Sequence, residues 1–544
     1  MAFFRQKQNA RSSAGSKETG QKSGGKSKDP LSNELDVNVD KVKASLGEST
    51  DLAVREIQIG ANGFLRAVLL FTEGLADASA ISRFMEAIMI QGSETNLSEA
   101  SQKNDAILKH LEKRVLTQGG IQHVDNFDTL FDSVVSGDTV LLLEGMDKGL
   151  VICTKGWEDR SVQENQVQMV VRGPHEAFTE NIRTNTALIR RRIRDRKLWL
   201  KTFSIGRVTK TDVAIMYIKG TVDDKIVEEV EKRLNSIDTD SILESGNIEE
   251  WIQDKTFTPF PTVFNTERPD TVAGNLLEGR VAILVDGTPV VLLVPVVFLQ
   301  FLQSPEDYYQ RSDFGIIRML RLLSLFISLN APAMFIAITT FHQEMLPTTL
   351  MVSIAAQREG VPFPAAVEAF LMEGLFEILR EAGIRMPRAI GSAISIVGAL
   401  VLGEAAVQAG LVSPAMVIVV SITAITSFVF PSFSVSIPIR ILRFFLMGLA
   451  ASFGLYGMFV GVIGIMLHMC SLRSFGIPYM APSAPMILDD QKDSLIRVPS
   501  WMMKKRPKLI GANNPIRLDN AMNAAGNWDE VSGSKLAAKE EDKR

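Results

Sequence analysis

The chain has 544 residues, a formal net charge of -4 and 46% hydrophobic residues. That length exceeds one compact domain and suits two or three, and the charge leaves no global basic excess for nucleic acid. Two cysteines and five histidines, without ligand spacing, exclude a disulfide framework and a structural zinc site.

The first 50 residues read as a disordered polar tail. MAFFRQKQNARSSAGSKETGQKSGGKSKDP is rich in Lys, Ser, Gly and Gln and has no apolar core of the kind a signal peptide needs. Residues 51–170 and 201–303 then read as two copies of one α/β unit. Gly60 and Gly206, Gly74 and Gly220, and Asp77 and Asp223 align at one offset of 146. Each copy runs from an apolar strand (Ala67–Phe71; Val213–Ile218) through a Gly turn to an acidic helix start and a helical period. Ile81, Phe84, Met85 and Ile88 carry that period in the first copy, and Ile226, Val227, Val230 and Leu234 in the second.

Each copy closes on a hairpin pattern, at Asp138–Thr154 and at Arg280–Pro295. The run from Val281 to Leu302 is also apolar enough for a membrane span. An AspGly turn and Pro295 divide it, which favours the hairpin. Residues 171–200 read as a linking helix with a basic face of Arg190, Arg191, Arg192, Arg194, Arg196 and Lys197. Leu188, Ile189 and Ile193 share that helix, so a solvated or subunit-contacting face is favoured over nucleic-acid binding.

From 304 to 483 apolar runs dominate. Spans are expected at about 322–340, 389–411, 415–430 and 444–467, with an amphipathic or re-entrant helix at 363–383 that counts as a fifth span in the alternative topology. Arg318 and Arg321 before the first span place the soluble domain in the cytoplasm. A polar tail fills 484–544. The fold class is therefore multidomain: a duplicated α/β soluble N-terminal domain followed by an α-helical multi-pass membrane domain.

Two sets of residues stand out. The span 389–411 is rich in Gly, Ala and Ser, which lets helices pack closely. It carries Glu404 and Gln408 one turn apart, on the face of Val397 and Val401. An intramembrane carboxylate is costly and is a functional candidate; a position at the membrane edge, solvated or paired, is the plainer alternative. Around an axis, Val397 and Val401 would form a constriction and Glu404 a cation-attracting ring. On the charged helix, Glu373, Glu377 and Glu381 lie at i, i+4 and i+8 and share a stripe. It reads as the outer face of an interfacial helix, or as an acidic vestibule. No nucleophile–base pair, metal cluster or cofactor loop appears, so an enzyme is not expected and no cofactor is implied.

SPEDYY (304–309), the run from Arg358 to Val420, CSLRSFGIPYMAPSAP (470–485) and RTNTALIRRRIRDRKLW (183–199) resemble the GerA family, the A subunits of bacterial spore germinant receptors. The resemblance covers about Asp51 to Pro485. It implies a multi-pass protein of the spore inner membrane. It also implies two partner subunits, a transporter-like B subunit that holds the germinant and a lipoprotein C subunit. The A subunits would form a homo-oligomeric ring, a pentamer, that opens as a germinant-gated cation channel. A scaffold without its own pore and a SpoVAF-type paralogue that amplifies ion release are the alternatives.

Overall fold

A computed structural model describes residues 29–59, 65–94, 121–156, 168, 170, 172–308, 315–385, 403–494, 498, 503–511 and 513–517. In the first half, helix α1 (Leu35–Ser45) precedes β1 (Leu52–Ile59), β2 (Leu65–Thr72), α2 (Ala78–Glu94), β3 (Ile121–Val124), α3 (Phe127–Val135), β4 (Thr139–Leu143) and β5 (Gly149–Ile152). Helix α4 (Ile182–Arg192) then precedes β6 (Leu198–Ile205), β7 (Thr211–Ile218), α5 (Asp224–Asn235), α6 (Ser245–Ile252), β8 (Phe264–Thr266), α7 (Pro269–Glu278), β9 (Val281–Val285) and β10 (Val291–Val294). The two antiparallel sheets have the same strand order, β1-β2-β4-β5-β3 and β6-β7-β9-β10-β8. The run that could have been a span is the β9–β10 hairpin, with Leu292 paired to Ile283.

Two expected boundaries move. The tail expected to be disordered through residue 50 contains α1, because Leu35, Val39, Val42 and Leu46 recur at helical spacing and are buried against α3 and the first sheet. The linking helix ends at Arg192. Beyond it the chain alternates, with Leu198 and Leu200 inward, and becomes strand β6.

Basic residues of α4 and of the turn after it join the two subdomains. Arg190 forms a bidentate pair with Asp51 (Nη2 to Oδ1 2.8 Å), and both side chains are buried. Its Nη1 also donates to Leu198 O at 3.2 Å. Arg196 pairs with Asp128 at 3.3 Å and lies over the Phe131 ring. Gly47 passes under the Trp199 indole with φ 65°, and a Cβ there would lie 2.0 Å from the ring. Both the backbone and the contact therefore require glycine.

The second half is helical: α8 (Gly315–Thr340), α9 (Thr348–Arg358), α10 (Ala365–Arg385), α11 (Pro414–Ser427) and α12 (Phe433–Ser471). Among the described residues, Ile317–Thr340 and Phe433–Ser471 are long and apolar enough to cross a membrane; Pro414–Ser427 is apolar but shorter. Of the expected span 389–411, only the part from residue 403 onward is described.

The span expected at 444–467 is not one straight helix. At Gly454 the backbone leaves helical geometry (φ 60°, ψ −144°) and the chain turns back on itself. A Cβ on Gly457 would lie 2.5 Å from Leu449 O, and one on Gly461 2.6 Å from Leu446 Cδ2. These glycines let limbs 433–453 and 455–471 pack closely side by side. The tip meets Phe341 and His342 after α8. The other ends of the hairpin rest on subdomain 2: Ser434 Oγ donates to Asn265 Oδ1 (3.1 Å), and Thr258 Oγ1 lies 2.9 Å from His468 Nε2.

One apolar core runs from the second sheet through Phe298, Phe301 and Tyr479 into the bundle. At this junction Arg318 and Arg321, read from sequence as flanking charges, are buried on the Asp307 carboxylate (3.1 Å each).

Replacing Arg190 with Ala strands the buried Asp51 carboxylate and is expected to destabilise the N-terminal half by about 3–5 kcal/mol. Denaturant unfolding followed by Trp199 fluorescence measures this. Asp51→Leu combined with Arg190→Met should recover most of the loss.

Candidate functional site in the helix bundle

Pro332 lies inside α8 and has no N–H, so the carbonyl four residues earlier loses its helical donor. That carbonyl belongs to Ser328, and Arg443 from the rising limb of α12 supplies the missing donor. Its Nε reaches Ser328 O at 2.8 Å, its Nη2 reaches Ser328 Oγ at 3.0 Å, and its Nη1 reaches Glu373 Oε2 at 2.6 Å. Glu373 and Arg443 are essentially inaccessible to solvent, at 0% and 1% side-chain exposure. A charge buried among apolar helices is tolerated only when paired and hydrogen-bonded; here each guanidinium nitrogen donates one hydrogen bond, while Glu373 Oε1 is buried without one among the described residues.

The other acids of α10 continue the pattern. Glu377 accepts from Arg440 at 2.8 Å, with Arg380 3.9 Å away. Arg380 also donates to Ser427 Oγ and lies over the rings of Phe376 and Phe428. Glu381 pairs with Arg385 at 2.7 Å in an exposed i,i+4 contact. Glu368 is buried at the other end, where it accepts from Ser413 N (3.0 Å) and Ser413 Oγ (2.9 Å) and pairs with Arg358 (3.3 Å). It places a carboxylate at the N-terminus of α11, where the helix dipole favours it.

The stripe of Glu373, Glu377 and Glu381 is therefore present but neutralised within the chain. Helix α10 does not present all its acids on an outer face: Glu368 and Glu373 are buried, and it packs against α8, α11 and α12. The periodicity of α10 alone shows its acids and hides the partners of Glu368, Glu373 and Glu377, which lie on α9 and α12. Pro332 and the Arg440–Arg443 pair were the signals available in the sequence.

Glu404 and Gln408 lie in a helical stretch at 403–408. Both are exposed, and Gln408 Nε2 donates to Glu404 Oε1 at 3.1 Å. Val397 and Val401 lie outside the described residues. Cys153 and Cys470 are free and exposed, and among the described residues no His, Cys, Asp or Glu group could hold a metal.

The fold is an α/β half with two like antiparallel sheets, joined by one apolar core to a helix bundle that holds arginine–carboxylate pairs and two helices long and apolar enough to cross a membrane. The chain belongs to the GerA family. Residues 40–509 match the model of the Bacillus/Clostridium GerA spore germination protein, the A-subunit family of spore germination receptors. It is 50% identical over 488 residues to Spore germination protein KA of Bacillus subtilis, covering 90% of this chain and 88% of that one. Stage V sporulation protein AF of the same organism is 31% identical over 480 residues, 88% of this chain and 94% of its own. A crystal structure of the N-terminal domain of the A subunit of the Bacillus megaterium spore germinant receptor GerK3 aligns with 51% of this chain and all of that chain, at 42% identity and a TM-score of 0.41.

Arg443→Leu leaves Glu373 buried without a cation and is expected to cost about 3–5 kcal/mol, seen as a fall in folded protein in the membrane fraction. Glu373→Leu in the same chain should restore most of that level, because the unpaired charge is then gone. Failure of the double variant to recover would count against the pair as the origin of the loss.

Proposed function

We propose that the chain is the A subunit of a nutrient-germinant receptor in the spore inner membrane. Copies assemble as a ring around the helix that carries Glu404 and Gln408, and the ring opens to cations when the receptor is triggered. By family context it works with a transporter-like B subunit and a lipoprotein C subunit. The higher identity to the germination protein than to the stage V sporulation protein favours the receptor over the signal-amplifying paralogue.

The observation that carries the channel reading is a contrast in electrostatics. All four carboxylates of α10 have an arginine partner within the chain. Glu404 is exposed, and its hydrogen-bond partner among the described residues is the neutral Gln408. A carboxylate beside an apolar, small-residue stretch requires water or a shared polar axis, and repeated around a ring it attracts cations. Val397 and Val401 share its face at helical spacing and would form the constriction. The paired stripe of Glu373, Glu377 and Glu381 would hold the ring walls together rather than collect ions.

The direction of each helix supports a multi-pass reading. Helix α8 runs from subdomain 2 to the Gly454 tip. Helix α10 returns, since Glu373 is level with Arg443 and Glu377 with Arg440, nearer the start of α12. Helix α11 runs alongside it, from Ser413 at Glu368 to Ser427 at Arg380. Arg385 and Ser413 thus lie at opposite ends of α10, and α12 goes out and back. With the span expected from sequence at 389–411 placed between Arg385 and Ser413, the proposed arrangement puts the N-terminal domain and the C-terminal tail on the same, cytoplasmic side.

Glu404→Gln is expected to slow monovalent cation release from germinating spores at unchanged receptor level, and Glu404→Lys to abolish it. Wild-type release kinetics in both variants would remove the pore from this helix. Separately, the purified protein should run as an oligomer in sizing with light scattering. A stable monomer would leave the scaffold reading in place of the ring.

A further inference from the structure

Where the bundle meets subdomain 2 there is a cavity of about 260 Å³ between α8 and the two limbs of α12. Its walls are almost wholly apolar: Phe298 from subdomain 2, Leu325 and Leu329 from α8, Leu442 from the rising limb and Ile465 from the returning one. Asn330 also lines it, and its side-chain amide donates back to Phe326 O in its own helix at 3.0 Å. Cavities of about 150 Å³ lined this way stay dry and take apolar guests.

The position of its mouth identifies the guest. Phe326 and Met466 line the cavity, and they are also 56% and 48% exposed on the outer surface. The opening therefore lies between α8 and the returning limb, within the belt of exposed Leu323, Ile463 and Leu467. At the subdomain end of this belt, Phe257 and Met486 are almost fully or largely exposed, as expected of side chains at a membrane interface. A helix from a second copy, about 10–12 Å across, cannot enter a space of this size, whereas an unbranched chain can.

We propose that this cavity is a lipid site that takes one acyl chain of a membrane phospholipid laterally, with the headgroup at the level of Phe257 and Met486. The chain fills the seam between subdomain 2 and the bundle and bears on Phe298 directly. The proposal rests on insertion of the bundle in a membrane and is independent of the ring and of the pore.

The test uses the full chain reconstituted in phospholipid vesicles. A phospholipid with a photoactivatable group on its acyl chain should label the cavity-lining Leu325, Leu329, Leu442 and Ile465 of the wild-type protein, in addition to the exposed belt and the outward-facing Ile418 and Ile422 of α11. In parallel, Phe298→Trp places a fluorophore on the cavity wall, at a position only 5% exposed. The emission it adds should be largely lost in vesicles with brominated acyl chains and kept in unbrominated ones. Labelling of α11 and the outer belt without Leu325, Leu329, Leu442 and Ile465, or no quenching of the emission added by Phe298→Trp, overturns the lipid site while membrane insertion stands. No labelling of α11 or any other helix overturns insertion and the site together. Cysteines at Phe326 and Met466 that cross-link between copies while labelling of the cavity is excluded would assign the mouth to a second copy and also overturn the proposal. If the Phe298→Trp variant does not fold, the labelling of the wild-type chain decides alone.

Discussion

The bundle depends on one guanidinium. Pro332 leaves a carbonyl of α8 without its donor, and Glu373 puts a carboxylate where water does not reach. Either group alone would be a buried unsatisfied charge or dipole. Arg443 pairs with both at once, and in doing so ties α8, α10 and α12 at one level. The second contact one turn away, Glu377 with Arg440, sets the rotation and direction of α10. The other helices are arranged around that crossing.

The same device recurs at the junction with the soluble half. Asp307 holds Arg318 and Arg321 before the apolar run of α8 starts, and Arg318 also donates to Ser494 O at 3.0 Å in the C-terminal segment. Around these pairs the core is continuous from the second sheet to the helices. Packed side chains therefore connect subdomain 2 to α8 and the hairpin. Interiors packed to this degree transmit strain, so the core is a physical route from the α/β half to the helix bundle.

Much of the architecture was legible in the chain itself. The repeat at a fixed offset matches two sheets with one strand order, and the Gly-containing turns match the hairpins. The α1 helix was missed because its four apolar residues follow a long polar tail and are sparse; their burial comes from α3 and the sheet, not from their neighbours. The reversal at Gly454 was missed because the run from 444 to 467 has the composition of one span. Only the positive φ and the contact of Gly457 with Leu449 distinguish a hairpin from a rod.

The sequence by itself determined the local order: the duplicated α/β units, the apolar helices, the acidic period of α10 and the polar Glu404–Gln408 step. Those properties arise from residues within a turn or a strand of one another, so periodicity reveals them. Tertiary structure alone decided which charges are neutral in effect. Glu373 meets Arg443 across 70 positions, and Arg443 meets Ser328 across 115. Such pairings are set by the packing of whole helices. They turned a row of carboxylates that read as a surface feature into the internal fastening of the bundle, and left Glu404 as a carboxylate without an arginine partner among the described residues.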